Sequence, residues 1–120
     1  MSKSMKNLLD SSAVLAILKK EPGYEMLENI ISTSAISAVN LGEVVTVLAR
    51  SDVSKSDIEQ IVRNFVPETI ELSEEIAILA GMLVVDTNKL GLSFGDRACI
   101  ATGIVNNMVI YTADNIWSQL

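Results

Sequence analysis

Four acidic residues stand next to apolar sequence, and their positions point to a shared site. They are Asp10 after "NLL", Glu43 within "VNLGEVV", Asp96 after "SFG" and Asp114 after "YTA". Carboxylates are costly to bury unless they are hydrogen-bonded, paired or bound to a cation. Acids that converge from separate segments repel one another unless a divalent cation neutralises the cluster. We therefore interpret these four acids as candidate ligands of Mg²⁺ or Mn²⁺, which prefer oxygen ligands.

Three of the four acids also have purely structural explanations. Either Asp10 or Ser12 fits the N-cap of the helix that follows the first apolar run. Ser93 and Asp96 fit the S-x-x-D pattern of a capping box, in which each side chain accepts a hydrogen bond from the other's backbone. Asp114 fits the N-cap of the terminal segment. At this point both interpretations of each acid stand.

Glu43 is the acid with the weakest structural explanation. It lies four residues after Val39 and four before Val47, so a helix places it on an apolar stripe. An unpaired acid there would be unfavourable, unless Arg50 or the edge of the helix supplied a partner. The position therefore favours a functional role.

The composition excludes many other chemistries. The chain has 120 residues and no histidine, so Ser-His-Asp triads, Cys-His pairs and histidine-bound zinc are impossible. Its single cysteine, Cys99, cannot form an internal disulfide, and its apolar neighbours predict a buried, inert thiol. No glycine-rich nucleotide-binding motif is present. Only carboxylates remain for acid, base or metal chemistry.

The elements that must position these acids follow an alternating strand and helix pattern, which predicts an α/β domain. Strands are predicted over 7–10, 33–37, 68–72 and 108–112. Helices are predicted over 12–20, 24–31, 38–50, from the Ser54/Asp57 capping box through 65, from the Ser73 cap to 90, and over 96–107, with a turn or short helix over 114–120. Asp10 then ends the first strand and Asp114 follows the last, where open parallel sheets collect functional groups.

Four ordered motifs make the chain resemble the PIN domain, and specifically the toxin of VapBC toxin–antitoxin pairs. They are "LLDSSAVLAIL", "ISAVNLGEVVTVL", "GLSFGDRACIATG" and "VIYTADNIW". The resemblance covers nearly the whole chain. Two departures are Ser11, where threonine is common, and the end of the chain at Leu120, where family members usually continue into one more strand.

The resemblance implies a single PIN-like domain over 1–120, an α/β/α sandwich with a central parallel sheet of four to five strands. It implies a Mg²⁺-dependent endoribonuclease that hydrolyses RNA with a metal-activated water and acts as the toxin of a type II pair. Carried over residue by residue, the catalytic and metal-binding acids are Asp10, Glu43, Asp96 and Asp114. Ser12 and Thr112 become supporting hydroxyls. The implied partner is a VapB-type antitoxin.

Two other functional classes are weighed against the nuclease. A catalytically silent PIN-like binding module would keep the fold and the antitoxin without turnover. A phosphoacceptor receiver domain has a similar length, but it needs paired acids after its first strand and a late lysine. Here Asp10 stands alone and the last lysine is Lys89. Magnesium-dependent RNA cleavage separates the nuclease from the binding module.

Charge and hydropathy predict which partners the protein binds and how strongly. A mean hydropathy of +0.38 indicates surplus apolar surface, which we assign to a homodimer or a partner interface. The net charge of −6 predicts weak RNA binding by the isolated chain, with Lys6, Lys89 and Arg97 as the basic residues near the site in sequence. No apolar run is long enough to span a membrane, and a cytoplasmic location is expected.

Overall fold

A parallel four-stranded sheet lies at the centre of the fold. The computed structural model describes residues 7–65 and 68–113. The strands are β1 (Asn7–Leu9), β2 (Ser34–Ser37), β3 (Glu68–Ile70) and β4 (Val109–Tyr111), in the spatial order β3-β2-β1-β4. All three strand pairs are parallel, so the carboxyl ends of β1, β2 and β4 meet at one edge of the sheet. The predicted sandwich with a central parallel sheet is confirmed.

Helices connect the strands and cover both faces of the sheet. They are α1 (Ser11–Leu18), α2 (Tyr24–Ile30), α3 (Ala38–Arg50), α4 (Lys55–Phe65), α5 (Glu74–Met82), α6 (Val84–Thr87) and α7 (Phe94–Asn106), with 3₁₀ turns at Ile31–Thr33 and Asn88–Leu90. Among the described residues, no helix is long and apolar enough to cross a membrane.

The core is divided by the alternation of side chains along β1. Leu9 packs with α1 and α3 on one face, in a cluster that includes Ile36. Leu8 points to the other face and packs with Cys99 of α7. Both leucines are completely buried, as expected for a central strand of a parallel sheet that is covered on both sides.

The long helix predicted from the Ser73 cap to Leu90 is wrong in its second half. The Ser73 cap is present, but α5 ends at Met82, and a short α6 and a 3₁₀ turn follow. Two consecutive β-branched residues, Val84 and Val85, weaken helix propensity at the break. The Thr87 hydroxyl also donates to the carbonyl of Leu83 at 2.8 Å.

Two helices start earlier than the sequence predicted, and both starts bear on the site. Helix α1 begins at Ser11 because Asp10, rather than Ser12, is its N-cap. Helix α7 begins at Phe94 because Ser93 is its N-cap, which puts Asp96 in the first turn instead of at the first position. The predicted turn or helix over 114–120 lies outside the described residues.

Candidate active site

Asp10 lies at the carboxyl end of β1 and is only 3% exposed. Its Oδ1 accepts hydrogen bonds from the Ala13 backbone N–H and the Ser12 hydroxyl, both at 2.8 Å. Burial raises the pKa of the Asp10 carboxyl because it disfavours the charged form, and the negative charge of Asp96 raises this pKa further. Hydrogen bonds from Thr112, Ala13 and Ser12 oppose these two effects without cancelling them.

A cluster of hydroxyl groups holds Asp10 in place. The Ser12 Oγ lies 3.1 Å from the Thr112 Oγ1, and it also accepts a hydrogen bond from the Ala113 backbone at 2.9 Å. The Asp10 backbone N–H donates to the Tyr111 carbonyl at 3.1 Å. These contacts tie the start of α1 to the end of β4. Both hydroxyl residues predicted to support the site are therefore in contact with Asp10 and with each other.

Glu43 lies on α3, and two polar side chains hold it. Its Oε1 accepts hydrogen bonds from the Ser11 hydroxyl at 3.0 Å and from the Asn40 amide at 2.8 Å. The view of an unpaired acid on a valine stripe is thus wrong, because Asn40 lies one turn earlier on the same helix and Ser11 reaches it from α1. Glu43 is oriented between α1 and α7 instead of being surrounded by apolar groups.

Asp96 forms the predicted capping box with Ser93. The Ser93 backbone N–H donates to Asp96 Oδ2 at 3.0 Å, and the Asp96 backbone N–H donates to Ser93 Oγ at 3.1 Å. The same carboxylate is close enough to Asp10 to raise the pKa of that acid. The structural and the functional interpretations of Asp96 are therefore compatible, since one side chain caps α7 and adds charge beside Asp10.

Cys99 lies one turn after Asp96 on α7, and the charges of the candidate acids affect the pKa of its thiol. It is a free, completely buried thiol, as predicted. Burial raises the pKa of the Cys99 thiol, and the charges of Asp10, Asp96 and Glu43 raise it further, in that order of size. Ser11 and Gly95, the sequence neighbours of Asp10 and Asp96, both lie against the Glu43 carboxylate, so the three acids are close together. Asp114 lies outside the described residues, so its place beside them stays a prediction.

The donor set of these three acids fits a divalent cation that prefers oxygen ligands. One oxygen of each carboxylate is held by hydrogen bonds, which fixes the direction of the group. Within 7–65 and 68–113, however, no group of three or more Cys, Asp or Glu residues has the arrangement of a preformed metal site. The three acids are oriented by hydrogen bonds, but among the described residues they do not form a complete metal site.

Arg97 does not act as the basic rim of this site. Its Nη1 donates to the Ala80 carbonyl of α5 at 2.9 Å, and its guanidinium lies 5.5 Å from the centre of the Phe94 ring. The side chain therefore joins α7 to α5. Lys89 is exposed in a 3₁₀ turn, and Lys6 lies outside the described residues.

Sequence reasoning missed three residues that shape the site: Ser11, Asn40 and Gly95. A Cβ atom placed on Gly95 would overlap the Glu43 carboxylate and lie 2.6 Å from its Cδ. Asn40 could have been found, because it stands three residues before Glu43 and three after the Ser37 N-cap of α3. No sequence signal links Gly95 to Glu43, which is far away in the chain.

The fold and the site together define a class of protein. The family model described as the PIN domain matches residues 8–120. The chain therefore belongs to the PIN domain family, as its motifs predicted. A search of the curated proteins finds no match.

Solved structures share the fold. VapC20 of Mycobacterium tuberculosis, described as a sarcin-ricin loop cleaving toxin, superposes with a TM-score of 0.74 at 16% identity, covering 95% of this chain and 94% of that chain. DNA-bound VapBC of Salmonella typhimurium gives 0.74 at 17% identity, with 95% and 91% covered. VapBC2 of Rickettsia felis, bound to a promoter DNA fragment, gives 0.71 at 20% identity, with 96% and 92% covered.

Proposed function

We propose that this protein is a divalent-metal-dependent endoribonuclease and the toxin of a VapBC-type toxin–antitoxin pair. One observation carries the proposal: Ser11, next to Asp10, donates to Glu43 at 3.0 Å, and Gly95, next to Asp96, lies against the same carboxylate, so acids from three segments of a PIN domain come together. Structural relatives that are described as VapC toxins or VapBC complexes support the same class. We also propose that residues 1–120 form a single domain.

In this proposal Asp10, Glu43 and Asp96 hold the cation, and Asp114 joins them by its match to the fourth family motif. Mg²⁺ is the proposed ion and Mn²⁺ the alternative. Such an ion, when bound, orients the scissile phosphate, activates the attacking water and stabilises the leaving oxygen. Ser12 and Thr112 orient the Asp10 carboxylate.

Two further features concern the partners. Exposed apolar residues on α5 and α7, namely Ile78, Met82 and Ile104, line one surface cavity of about 580 Å³ and support the proposed homodimer. The net charge of −6 makes RNA binding by the isolated chain weak, so a cation at the acids contributes to holding the phosphate. A VapB-type antitoxin is the proposed inhibitor, and the cytoplasm is the proposed location.

The test is cleavage of structured RNA by the purified protein, in Mg²⁺ and in excess chelator. We expect cleavage only with the metal. Glu43→Gln should lower the rate strongly, whereas Glu59→Gln, on the exposed side of α4, should leave it unchanged. Equal rates for the two variants would contradict the role of Glu43.

The silent binding module is the second candidate, and the lack of a preformed three-acid metal site within 7–65 and 68–113 favours it. It predicts that the protein still binds its antitoxin but cleaves no RNA with Mg²⁺ or Mn²⁺. That result, obtained with correctly folded protein, would replace the nuclease proposal.

A further inference from the structure

We infer that Asn40 is a positioning residue for Glu43, and that it also links α3 to the turn of α7 that carries Asp96. Its side chain is 1% exposed and lies at the start of α3. The inference deepens the proposed function and rests on it, because Glu43 is one of the proposed metal ligands.

The Asn40 amide uses both of its donor hydrogens and its acceptor. Its Nδ2 donates to Glu43 Oε1 at 2.8 Å and to the Gly95 carbonyl at 3.2 Å. Its Oδ1 accepts from the Ser37 hydroxyl at 2.6 Å, while the Ser37 Oγ accepts from the Asn40 backbone at 3.1 Å. One buried amide thus joins the end of β2, the first turns of α3 and the first turn of α7.

Chemistry fixes the orientation of this amide. A carboxylate oxygen and a backbone carbonyl can only accept hydrogen bonds, so the NH₂ group must face Glu43 and Gly95. The Ser37 hydroxyl already accepts from the Asn40 backbone, which leaves its proton free to donate to Oδ1. The reversed amide would put its oxygen against two other acceptors.

Glu43 needs such a support more than the other acids do. Its side chain has one more rotatable bond than that of Asp10 or Asp96, and it must reach the site from the second turn of α3. Hydrogen bonds to a charged group are about twice as strong as neutral ones, and here the buried Asn40 amide donates one to the part-buried Glu43 carboxylate. Gly95 leaves the space into which Asn40 and Ser11 direct the carboxylate.

A double-mutant cycle on metal affinity tests this role. Binding of Mn²⁺ is measured by calorimetry for the parent, Asn40→Ala, Glu43→Gln and the double variant. Asn40→Ala should weaken Mn²⁺ binding by about 10- to 100-fold, as loss of a hydrogen bond to a metal ligand does. In the Glu43→Gln background the same change should cost less than about 3-fold, because a residue that acts through Glu43 has nothing left to position.

Asn106→Ala is the matched control, since its amide donates to a backbone carbonyl of α7 away from the acids, at 2.9 Å from Thr102 O. It should leave Mn²⁺ affinity unchanged. Asn40→Ser, which is smaller but keeps a polar group near Ser37, serves if Asn40→Ala does not fold. Failure of both variants to fold would make Asn40 a residue of the fold alone and would overturn the inference.

The outcomes separate the inference from the proposed function. If the parent binds Mn²⁺ and cleaves RNA, but Asn40→Ala costs the same factor in both backgrounds, the inference is wrong and the nuclease proposal stands. A parent that neither binds Mn²⁺ nor cleaves RNA would remove the proposed function and the inference together.

Discussion

Asp10 and Asp96 differ in how the fold accommodates their charge. Asp10 is buried at the end of β1, and burial raises the pKa of its carboxyl. Asp96 is partly exposed in the first turn of α7, where its carboxylate accepts a hydrogen bond from the Ser93 backbone. The charge of Asp10 is therefore a cost to the metal-free folded state, whereas that of Asp96 stabilises a helix start.

The comparison shows that a structural role does not exclude a functional one. Both acids are helix caps, since Asp10 caps α1 and Asp96 completes the capping box of α7. What distinguishes a site is the surroundings of the acids: Ser11 and Gly95, the sequence neighbours of Asp10 and Asp96, both lie against the Glu43 carboxylate. Stability and activity should therefore separate in the variants of these two acids.

The largest expected effect is the loss of RNA cleavage in variants of Asp10 and Asp96. Asp10→Asn and Asp96→Asn each remove an anionic ligand at nearly constant size, which removes several kcal/mol of transition-state stabilisation, or at least about 10³-fold in rate. RNA cleavage in Mg²⁺ by purified, folded variants measures this. Undiminished cleavage by either one would remove that acid from the site and break the comparison.

A smaller effect is expected at Gly95, which precedes Asp96 and lies against the Glu43 carboxylate. Gly95→Ala should displace the Glu43 carboxylate from Asn40 and Ser11 and lower the free energy of unfolding by about 1–3 kcal/mol. Gly42→Ala on α3 has nothing within 4 Å of the added Cβ and should instead stabilise by about 0.5–1 kcal/mol. Urea unfolding compares them. A stabilising Gly95→Ala would mean that Glu43 moves freely.

The next prediction concerns how the contribution of Asp10 to the free energy of unfolding depends on pH. Its folded pKa is raised above the ordinary value of 3.8, so between these two pKa values the folded state holds more protons than the unfolded state. This contribution to stability is complete below pH 3.8 and is lost as the pH rises through the folded pKa. Asp10→Asn should remove it and be more stable than the parent near neutral pH in chelator.

Urea unfolding from about pH 3.5 to about pH 7 checks this, and the difference between parent and variant isolates Asp10 from the other acids. A constant difference across the series would show that the burial of Asp10 carries no charge penalty.

The smallest effect should be the stability change in Asp96→Asn. Loss of the charge in the first turn of α7 should lower the free energy of unfolding by about 0.3–1 kcal/mol in chelator, opposite in sign to Asp10→Asn. Ser93→Ala, which removes the other half of the capping box, should cost about 1 kcal/mol. If Asp96→Asn is more stable than the parent, the repulsion between the acids outweighs the capping of α7 by Asp96.

Much of the fold was predictable because it is determined by residues that are close together in sequence. Asp10, Ser37, Ser73 and Ser93 each cap a helix, and the apolar runs before Asp10 and Ser37 specify β1 and β2. The second half of the predicted 73–90 helix failed because the apolar run continues through 83–85, beyond the end of α5 at Met82. Periodicity does not record such a break.

The candidate site was predictable only in part, for a similar reason. The acids stand out because charges beside apolar runs are costly, and position at a strand end is a local property. Their supports are not local. Glu43 accepts from Ser11, which is 32 residues away, and Asn40 donates to the Gly95 carbonyl, 55 residues away. Only the packing of α1, α3 and α7 brings these groups together.

The central claim is that Asp10, Glu43 and Asp96 form one cation site, and a calorimetric titration with Mn²⁺ tests it most directly. The parent should bind Mn²⁺ saturably, Asp10→Asn and Asp96→Asn should each weaken binding at least about 10-fold, and Glu59→Gln should bind like the parent. Equal Mn²⁺ binding by the parent and by both aspartate variants would contradict the claim.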